Sequence, residues 1–181
     1  EYWNADTDDG LPVNPSERKV EAKRREYEQF NKQADAAKKA ARMLDRSTPT
    51  DGSHPYLKSK QVKAHGLTRI GAVLLIPLSD VSGQLLTLQT IGSGGSKKFI
   101  GGGKTKGASC VIGELLEGEK ALLCEGWATG ASLHEATGLP VICAMNCGNL
   151  KEVAGQFAQK HDLLICADDD HRTEQEKGRN T

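Results

Sequence analysis

The sequence has few aromatic residues: three tyrosines, three phenylalanines and two tryptophans among its 181 residues. It has no run of about 18 consecutive apolar residues and no pattern typical of a secretory leader, so it predicts a soluble protein without a membrane-spanning helix. It also has no G-x-S-x-G elbow, and its tyrosines (Tyr2, Tyr27, Tyr56) all lie in the first third of the chain. Catalysis by a serine or tyrosine nucleophile therefore has little support.

The five cysteines lack the spacing of a metal site. No pair has C-x-x-C spacing, and no histidines follow at the distances typical of zinc fingers. Four of the cysteines lie in or beside predicted strands. The pattern indicates buried, reduced thiols in a cytoplasmic protein.

Acidic residues are nearly absent from positions 58–113. This block carries eight basic residues and the single acid Asp80, a net charge of +7, whereas residues 114–181 have a net charge of −6. A basic block beside an acidic one suits a protein that holds a polyanion and metal ions together, although ordinary solvated lysines remain an alternative. Tyr56 and Phe99 are the only aromatics in or beside the basic block, so base stacking is predicted to contribute little.

The first 50 residues predict one long helix and a linker. In Asn14-Pro15-Ser16-Glu17 we expect Asn14 to be the N-cap and Pro15 the first helical residue. Residues 47–52 have the composition of a linker. Within the helix itself, apolar residues recur at helical spacing and form a thin stripe. This stripe is predicted to pack on the rest of the chain or on an absent neighbour. The stripe consists of Val20, Tyr27, Phe30, Ala34, Ala37, Ala41 and Leu44.

Residues 51–118 predict a small antiparallel β-rich subdomain after a short helix near Pro55–Lys60. Four short strands this close in sequence favour a meander. They are Val73–Leu78, Leu85–Ile91, Lys97–Ile100 and Ser109–Gly113.

The glycine-rich segment Gly101–Gly107 is predicted to be a mobile loop. Its residues Lys104 and Lys106 make it a candidate clasp for phosphates, with a plain surface loop as the alternative. It is not a P-loop, because that motif needs a glycine where Lys98 stands and a helix where a strand is predicted.

The pattern changes near residue 119 to strand-helix-strand-helix-strand. Short connections between such elements predict a parallel sheet with right-handed crossovers, hence the α/β class. The expected division is a helical segment and linker at 1–50, the β-rich basic subdomain at 51–118, and a parallel βαβαβ domain at 119–181 that stops in mid-pattern. The five elements are Ala121–Cys124, Ala128–Thr137, Val141–Ala144, Asn149–Lys160 and Leu163–Ala167.

Two of these strands, both predicted to be buried on both faces, run directly into carboxylates. Glu125-Gly126 follows the first strand, and Asp168-Asp169-Asp170 follows the third. Ligands of open α/β sheets bind at the carboxyl ends of the strands, and oxygen ligands suit hard divalent ions. Asp168 and Asp170 should point to one side, with Asp169 turned away or toward a second ion. Gly126 would let a substrate approach the backbone closely.

At these residues the chain resembles the Toprim domain, which is shared by bacterial-type primases, type IA and type II topoisomerases and some nucleases. Additional segments are similar to the Toprim of phage- and plasmid-encoded primases, in which this domain often precedes a helicase. Those within the domain are Glu125–Ser132, Ala136–Val141, Gly148–Leu150 and Ala167–Asp170. Those in the lead-in are His54–Leu57, Ile76–Leu78 with Asp80 and Gly83, Leu88-Gln89 and Lys97–Phe99.

The resemblance implies the catalytic core of a DNA primase, which makes RNA primers from NTPs on a single-stranded DNA template. It implies that Glu125, Asp168 and Asp170 are the catalytic acids, that Asp169 belongs to the metal motif, and that the cofactor is Mg²⁺ or Mn²⁺. It also implies a helicase domain or subunit as partner. In addition, it implies a zinc-binding module and elements after Asp170, which this sequence lacks. We therefore expect these 181 residues alone to be weakly active or inactive. The candidate nucleic-acid or nucleotide-binding residues are Lys97, Lys98, Lys104, Lys106, Gly126 and Asn149.

Three alternatives share the same residues. A Toprim nuclease would use the acids to hydrolyse phosphodiesters, and a non-catalytic module would bind or scaffold DNA. A topoisomerase is disfavoured because residues 119–181 contain no tyrosine. Whether Glu125 is a metal ligand or a general base also stays open at this point.

Overall fold

The computed structural model describes residues 15–167, which form two β-sheets and four α-helices. The predictions for Asn14 and for Asp168–Asp170 lie outside the described residues. In chain order the elements are α1 (Pro15–Asp45), β1 (Thr48–Pro49), α2 (Pro55–Lys60), β2 (Thr68–Ile70), β3 (Val73–Ser79), β4 (Leu85–Gly92), β5 (Lys97–Phe99), β6 (Cys110–Ile112), β7 (Lys120–Cys124), α3 (Trp127–Thr137), β8 (Val141–Cys143), α4 (Cys147–Phe157) and β9 (Asp162–Cys166).

The first sheet is an antiparallel meander in the order β1-β2-β3-β4-β5. A tight turn joins β3 to β4, and in it the carboxylate of Asp80 accepts hydrogen bonds from the backbone N–H groups of Ser82 and Gln84. The predicted strands β3, β4 and β5 and the short helix α2 are confirmed. Strands β1 and β2 were not predicted, since two or three residues carry no measurable alternation.

The second sheet has the order β6-β8-β7-β9, in which β7 is parallel to both β8 and β9. This confirms the predicted βαβαβ arrangement. The expectation that β6 is the fourth strand of the meander is wrong, because β6 pairs antiparallel with β8. Only a single bridge between Ser79 and Ser109 links it to the first sheet. Backbone pairing explains the difference, since β8 offers partners to all three residues of β6, from Cys110–Cys143 to Ile112–Val141.

One hydrophobic cluster joins the two sheets. Leu74 and Ile76 of β3 contribute to it from the first sheet, and Leu122 and Cys124 of β7 from the second, with Trp127 of α3 between them. Alternate residues of the same strands point to the outer faces, as strand geometry requires. The outer face of the first sheet is covered by α1, and that of the second sheet by α4.

Helix α1 is confirmed, but the face predicted to pack is largely exposed. Ala36 and Ala40 are buried against the first sheet, whereas Val20, Tyr27 and Phe30 are each about two-thirds exposed. At 100° per residue the two alanines lie on another side of the helix from the predicted stripe. Their small side chains let the helix axis come close to β4, and Met43 and Leu44 of the last turn, the latter from the predicted stripe, pack partly buried against the same cluster.

The prediction of strands buried on both faces is right for β7 and wrong for β9. Residues Ala121–Cys124 are all buried, because β7 lies between β8 and β9. In β9, Leu164 is 54% and Ile165 is 55% exposed. Within residues 15–167 this strand pairs only with β7, which makes it the edge of the sheet. No helix in the same range is long and apolar enough to cross a membrane.

Four of the five cysteines form a row across the second sheet. Cys110 is opposite Cys143, Cys143 is opposite Cys124, and Cys124 is opposite Cys166. All five cysteines are free thiols, and burial raises the pKa of Cys110 to about 12. The expectation of burial is therefore right for Cys110, Cys124 and Cys143. It is wrong for Cys147, which is exposed at the start of α4, and for Cys166, which is only partly buried.

Candidate active site

The carboxyl ends of the three parallel strands lie side by side. Cys124 of β7 is in register with Cys143 of β8 and with Cys166 of β9. Glu125, which is partly buried, therefore leaves the sheet next to the point where β9 continues through Ala167. The acidic run predicted as a metal motif begins one residue later, outside the described residues. Its side-chain positions stay a prediction.

Gly126 is the N-cap of α3 and has an extended backbone with φ −106°. A Cβ atom at this position would contact only the hydroxyl of Thr129, at 3.8 Å. Neither backbone conformation nor packing among the described residues therefore requires glycine here. The predicted reason for a glycine here, close approach of a substrate to the backbone, stays a prediction.

Three glycines of the glycine-rich loop lie close to three different elements, and the mobility of the loop stays a prediction. A Cβ atom at Gly103 would overlap Thr87 of β4, and one at Gly107 would overlap Gln156 of α4. Gly102 lies against the backbone of Lys32 in α1. Close contact with Thr87 explains Gly103, whereas Gly102 and Gly107 have left-handed backbones (φ 79° and 74°) that favour glycine.

Lys104 and Lys106 lie on different sides of this loop. Lys106 and its neighbour Thr105 line a cavity of about 250 Å³ beside the start of α4, together with Asn146, Gly148 and Asn149. Lys104 lines a separate groove of about 300 Å³ between α1 and the β3–β4 turn. Of the two lysines, Lys106 is the one beside the carboxyl edge of the second sheet.

Lys97 and Lys98 lie on β5, at the edge of the first sheet. Successive residues of a strand point to opposite faces, so the two ammonium groups diverge. The ammonium nitrogen of Lys97 is 5.7 Å from the centre of the Tyr56 ring, within the range of a cation–π contact. These lysines therefore border two surfaces of the first sheet.

Asn149 is buried at the first turn of α4. Its side-chain oxygen accepts a hydrogen bond from the backbone N–H of Gly107 at 2.8 Å. Its side-chain nitrogen donates to the carbonyl oxygens of Ala108 and Ala144, both at 2.9 Å. The side chain predicted to bind nucleotide therefore contacts the backbone on both sides of the cavity.

Met145 is a feature of this edge that sequence reasoning missed. It follows β8 and has a left-handed backbone with φ 72°, a conformation that costs about 1–2 kcal/mol for a residue with a side chain. The bend reverses the chain between β8 and α4 and brings Asn149 back over the sheet edge. Glycine or asparagine would have signalled such a bend, but methionine carries no such signal.

A second polar contact joins the two subdomains. The ring Nε2 of His65 lies 2.7 Å from the carboxylate oxygen Oε1 of Glu135 on α3, and the same oxygen accepts a hydrogen bond from the backbone N–H of Lys63. His134 packs edge-on against the His65 ring. The hydrogen bond from Lys63, followed by that from His65, lowers the pKa of Glu135.

Changing Glu135 to glutamine should destabilise the protein by about 0.5–1 kcal/mol at neutral pH, because glutamine keeps the oxygen acceptor but loses the charge. The folded pKa lies below the ordinary value, so the stabilisation is complete above about pH 4.5 and is lost as the pH falls through the folded value. Urea unfolding of wild type and Glu135→Gln from neutral to acidic pH measures the difference in stability. The two unfolding curves should converge in acid.

The matched control is Glu152→Gln. Glu152 pairs with Lys106 at 3.3 Å, but the two side chains are 41% and 81% exposed, so we expect almost no change in stability. A difference between wild type and Glu135→Gln that stayed constant down to strongly acidic pH would contradict a contribution from the charge of Glu135.

Comparison with known proteins identifies the domain that carries this edge. Residues 120–180 match the family described as Toprim_3, Toprim domain. The chain carries a Toprim domain. The match begins at the first residue of β7 and includes Glu125 together with Asp168–Asp170. The resemblance seen in the sequence is confirmed.

Two curated relatives extend the similarity beyond the Toprim domain. Both are described as DNA primase TraC from Escherichia coli, one 31% identical over 165 residues and the other 30% identical over 187 residues. These matches include 86% and 94% of the chain but only 11% and 18% of the relatives. The chain thus spans less than a fifth of either relative, and its similarity to plasmid-type primases includes the basic subdomain before the Toprim domain.

A solved structure with a similar chain is described as bacteriophage T7 lagging-strand DNA polymerase interacting with the primase domains of two gp4 subunits bound to an RNA/DNA hybrid and dTTP. The TM-score is 0.44 at 17% identity, covering 61% of this chain and 62% of that one.

Proposed function

We propose that this chain is the catalytic core of a DNA primase, in which the Toprim domain transfers nucleotides to make RNA primers on single-stranded DNA. The observation that carries the proposal is the register of β7 with β9, which places Glu125 beside the strand end that leads into Asp168-Asp169-Asp170. The relatives named DNA primase support the same reaction.

The acids of this edge fit a divalent metal such as Mg²⁺ or Mn²⁺. Carboxylates are the oxygen ligands that such ions prefer. Among residues 15–167 no group of three metal-ligating side chains converges. The proposed set combines Glu125 with Asp168, Asp169 and Asp170, as the sequence motif predicts. When bound, the metal would stabilise the negative charge that builds on the phosphorus centre.

The chain's own residues would then position the substrates. The backbone at Gly126 gives close access beside Glu125, and Lys106 borders the cavity at the same edge. Lys97, Lys98 and Lys104 extend the positive surface over the first sheet, where they would hold template phosphates without reading base sequence. The proposed partners are single-stranded DNA, NTPs and a helicase domain or subunit.

Replacing Asp168 and Asp170 together with asparagine tests the proposal. The full-length protein is incubated with single-stranded template, labelled NTPs and Mn²⁺, and products are resolved by size. Wild type should make short RNAs, whereas the double variant should make none because the metal motif has lost two charges. Binding to single-stranded DNA should stay within about twofold of wild type, since the lysines are unchanged.

Other outcomes would overturn the proposal in distinguishable ways. Degraded template without RNA products would identify a nuclease that uses the same acids. DNA binding without either product would identify a binding module. RNA synthesis that survived the double change would show that the acids are wrongly assigned.

A further inference from the structure

We infer that Asn149 is a positioning residue that fixes the basic loop at the carboxyl edge of the Toprim sheet, so that Lys106 faces the nucleic acid. The inference deepens the proposed function and rests on it for the identity of the ligand. It gives Asn149 a role through the loop, in place of direct contact with nucleotide.

The hydrogen bonds of Asn149 join two parts of the chain that are distant in sequence. Gly107 and Ala108 lead into β6, while Ala144 follows β8. The side chain is 5% exposed, and both of its polar atoms are bonded to backbone. A carboxamide is suited to this because one group accepts a bond and donates two. Both N–H groups of the amide are used, so an acceptor on a nucleotide could bond the amide nitrogen only by breaking one of these buried bonds.

The other contacts of the loop at this edge are weaker. Lys106 pairs with Glu152, but both side chains are substantially exposed, and such pairs contribute little. Gly107 has a left-handed backbone with φ 74° and lies against Gln156. The backbone bonds between Ser109 and Ser79 hold the segment just after the loop, and the buried bonds to Asn149 hold Gly107 and Ala108 beside the cavity. Lys106 can exchange Glu152 for a phosphate.

The sheet topology explains why the position of the loop before β6 matters for the site. Because β6 is antiparallel to β8, the loop that precedes it lies at the edge where β7, β8 and β9 end. Neighbouring strands are about 4.8 Å apart, so two strand spacings, or about 10 Å, separate the start of β6 from the end of β7 at Glu125. Asn149 thus keeps a cation within reach of a substrate held by the acids.

The test is a double-mutant cycle on the salt dependence of DNA binding. The affinity of the full-length protein for a fluorescein-labelled oligothymidylate is measured over a range of salt for wild type, Asn149→Ala, Lys106→Ala and the combined variant. Each single change should weaken binding about threefold to tenfold and reduce the salt slope by about 0.7, the value for one phosphate contact on a single strand. The combined variant should be no weaker than Lys106→Ala.

Lys97→Ala with Lys98→Ala is the matched control for coupling. These lysines lie on β5 and have no bond to Asn149, so their effect should add to that of Asn149→Ala. Val153→Ala controls for general loss of stability, since Val153 is buried in the same helix but lies outside the loop contact. It should lower stability and leave the salt slope unchanged.

Amide hydrogen exchange supplies a second measurement that does not depend on activity. The N–H of Gly107 should lose protection in Asn149→Ala and keep it in Val153→Ala and Lys106→Ala. An unchanged salt slope in Asn149→Ala, or full additivity with Lys106→Ala, would overturn the inference. Both results leave the assignment of the acids untouched, because that assignment is tested by RNA synthesis.

Discussion

Primer synthesis by Glu125→Gln is expected to fall by about a hundredfold or more, while binding to single-stranded DNA stays within about twofold. Glutamine has nearly the same shape and keeps an oxygen acceptor, so the change removes little besides the negative charge. That charge directly follows Cys124 at the end of the central parallel strand, and Cys124 is in register with Cys166 of β9. RNA products from labelled NTPs measure the loss.

The same variant separates the two roles that the sequence leaves open for Glu125. If the carboxylate is a metal ligand, Glu125→Gln needs more Mg²⁺ for half-maximal activity and keeps the shape of its pH profile. If it is a general base, the metal dependence is unchanged and the activity that remains loses its dependence on pH at the acidic side. Glu152→Gln is the control, and activity of Glu125→Gln within about threefold of wild type would exclude both roles.

Gly130→Ala is expected to destabilise the protein by about 2 kcal/mol, although alanine is the better helix former. Gly130 lies in α3 directly over Cys124 and Cys143, whose sulfur atoms are 3.9 Å apart. A Cβ atom would overlap the sulfur of Cys143 and lie 3.2 Å from that of Cys124. Both neighbours are fully buried strand residues, so α3 would have to move away from the sheet.

Gly155→Ala is the same substitution in α4, where a Cβ atom meets nothing within 4 Å. Here only helix propensity and chain entropy change, and we expect stabilisation by about 0.5–1 kcal/mol. Urea unfolding of both variants measures the contrast. Stabilisation by Gly130→Ala would show that α3 is not closely packed on β7 and β8.

A displaced α3 would also shift Gly126, so Gly130→Ala should reduce primer synthesis by more than its stability loss explains.

The sequence predicted the elements of the Toprim domain well because local pattern and final packing agree there. Short apolar runs such as Ala121–Cys124 have one stable environment, the interior of a parallel sheet. Prediction from the sequence failed for strands whose pairing or packing partners are distant in sequence. Nothing near Cys110–Ile112 indicates that this strand leaves the meander for β8, and the exposure of Leu164 depends on what lies beside β9 rather than on the run itself.

For the site, the sequence predicted candidate residues but not how they are held. Glu125 was predicted from strand ends alone, and its role stays a prediction. The separation of Lys104 from Lys106 depends on side-chain direction within a loop, which no spacing encodes. Two of the three bonds of Asn149 reach residues more than 40 positions away, so its place in a G-N-L segment gave no sign of them.

The single hydrophobic cluster between the two sheets has a consequence for how such chains diversify. Leu74 and Ile76 contribute to it from one side and Leu122 and Cys124 from the other, so each half covers part of the apolar face of its counterpart. Recombination that exchanged the Toprim half alone would bring together side chains selected for different neighbours. The lysine-bearing half and the acid-bearing half should therefore be inherited as one unit, and gene fusions should join before or after the pair rather than between them.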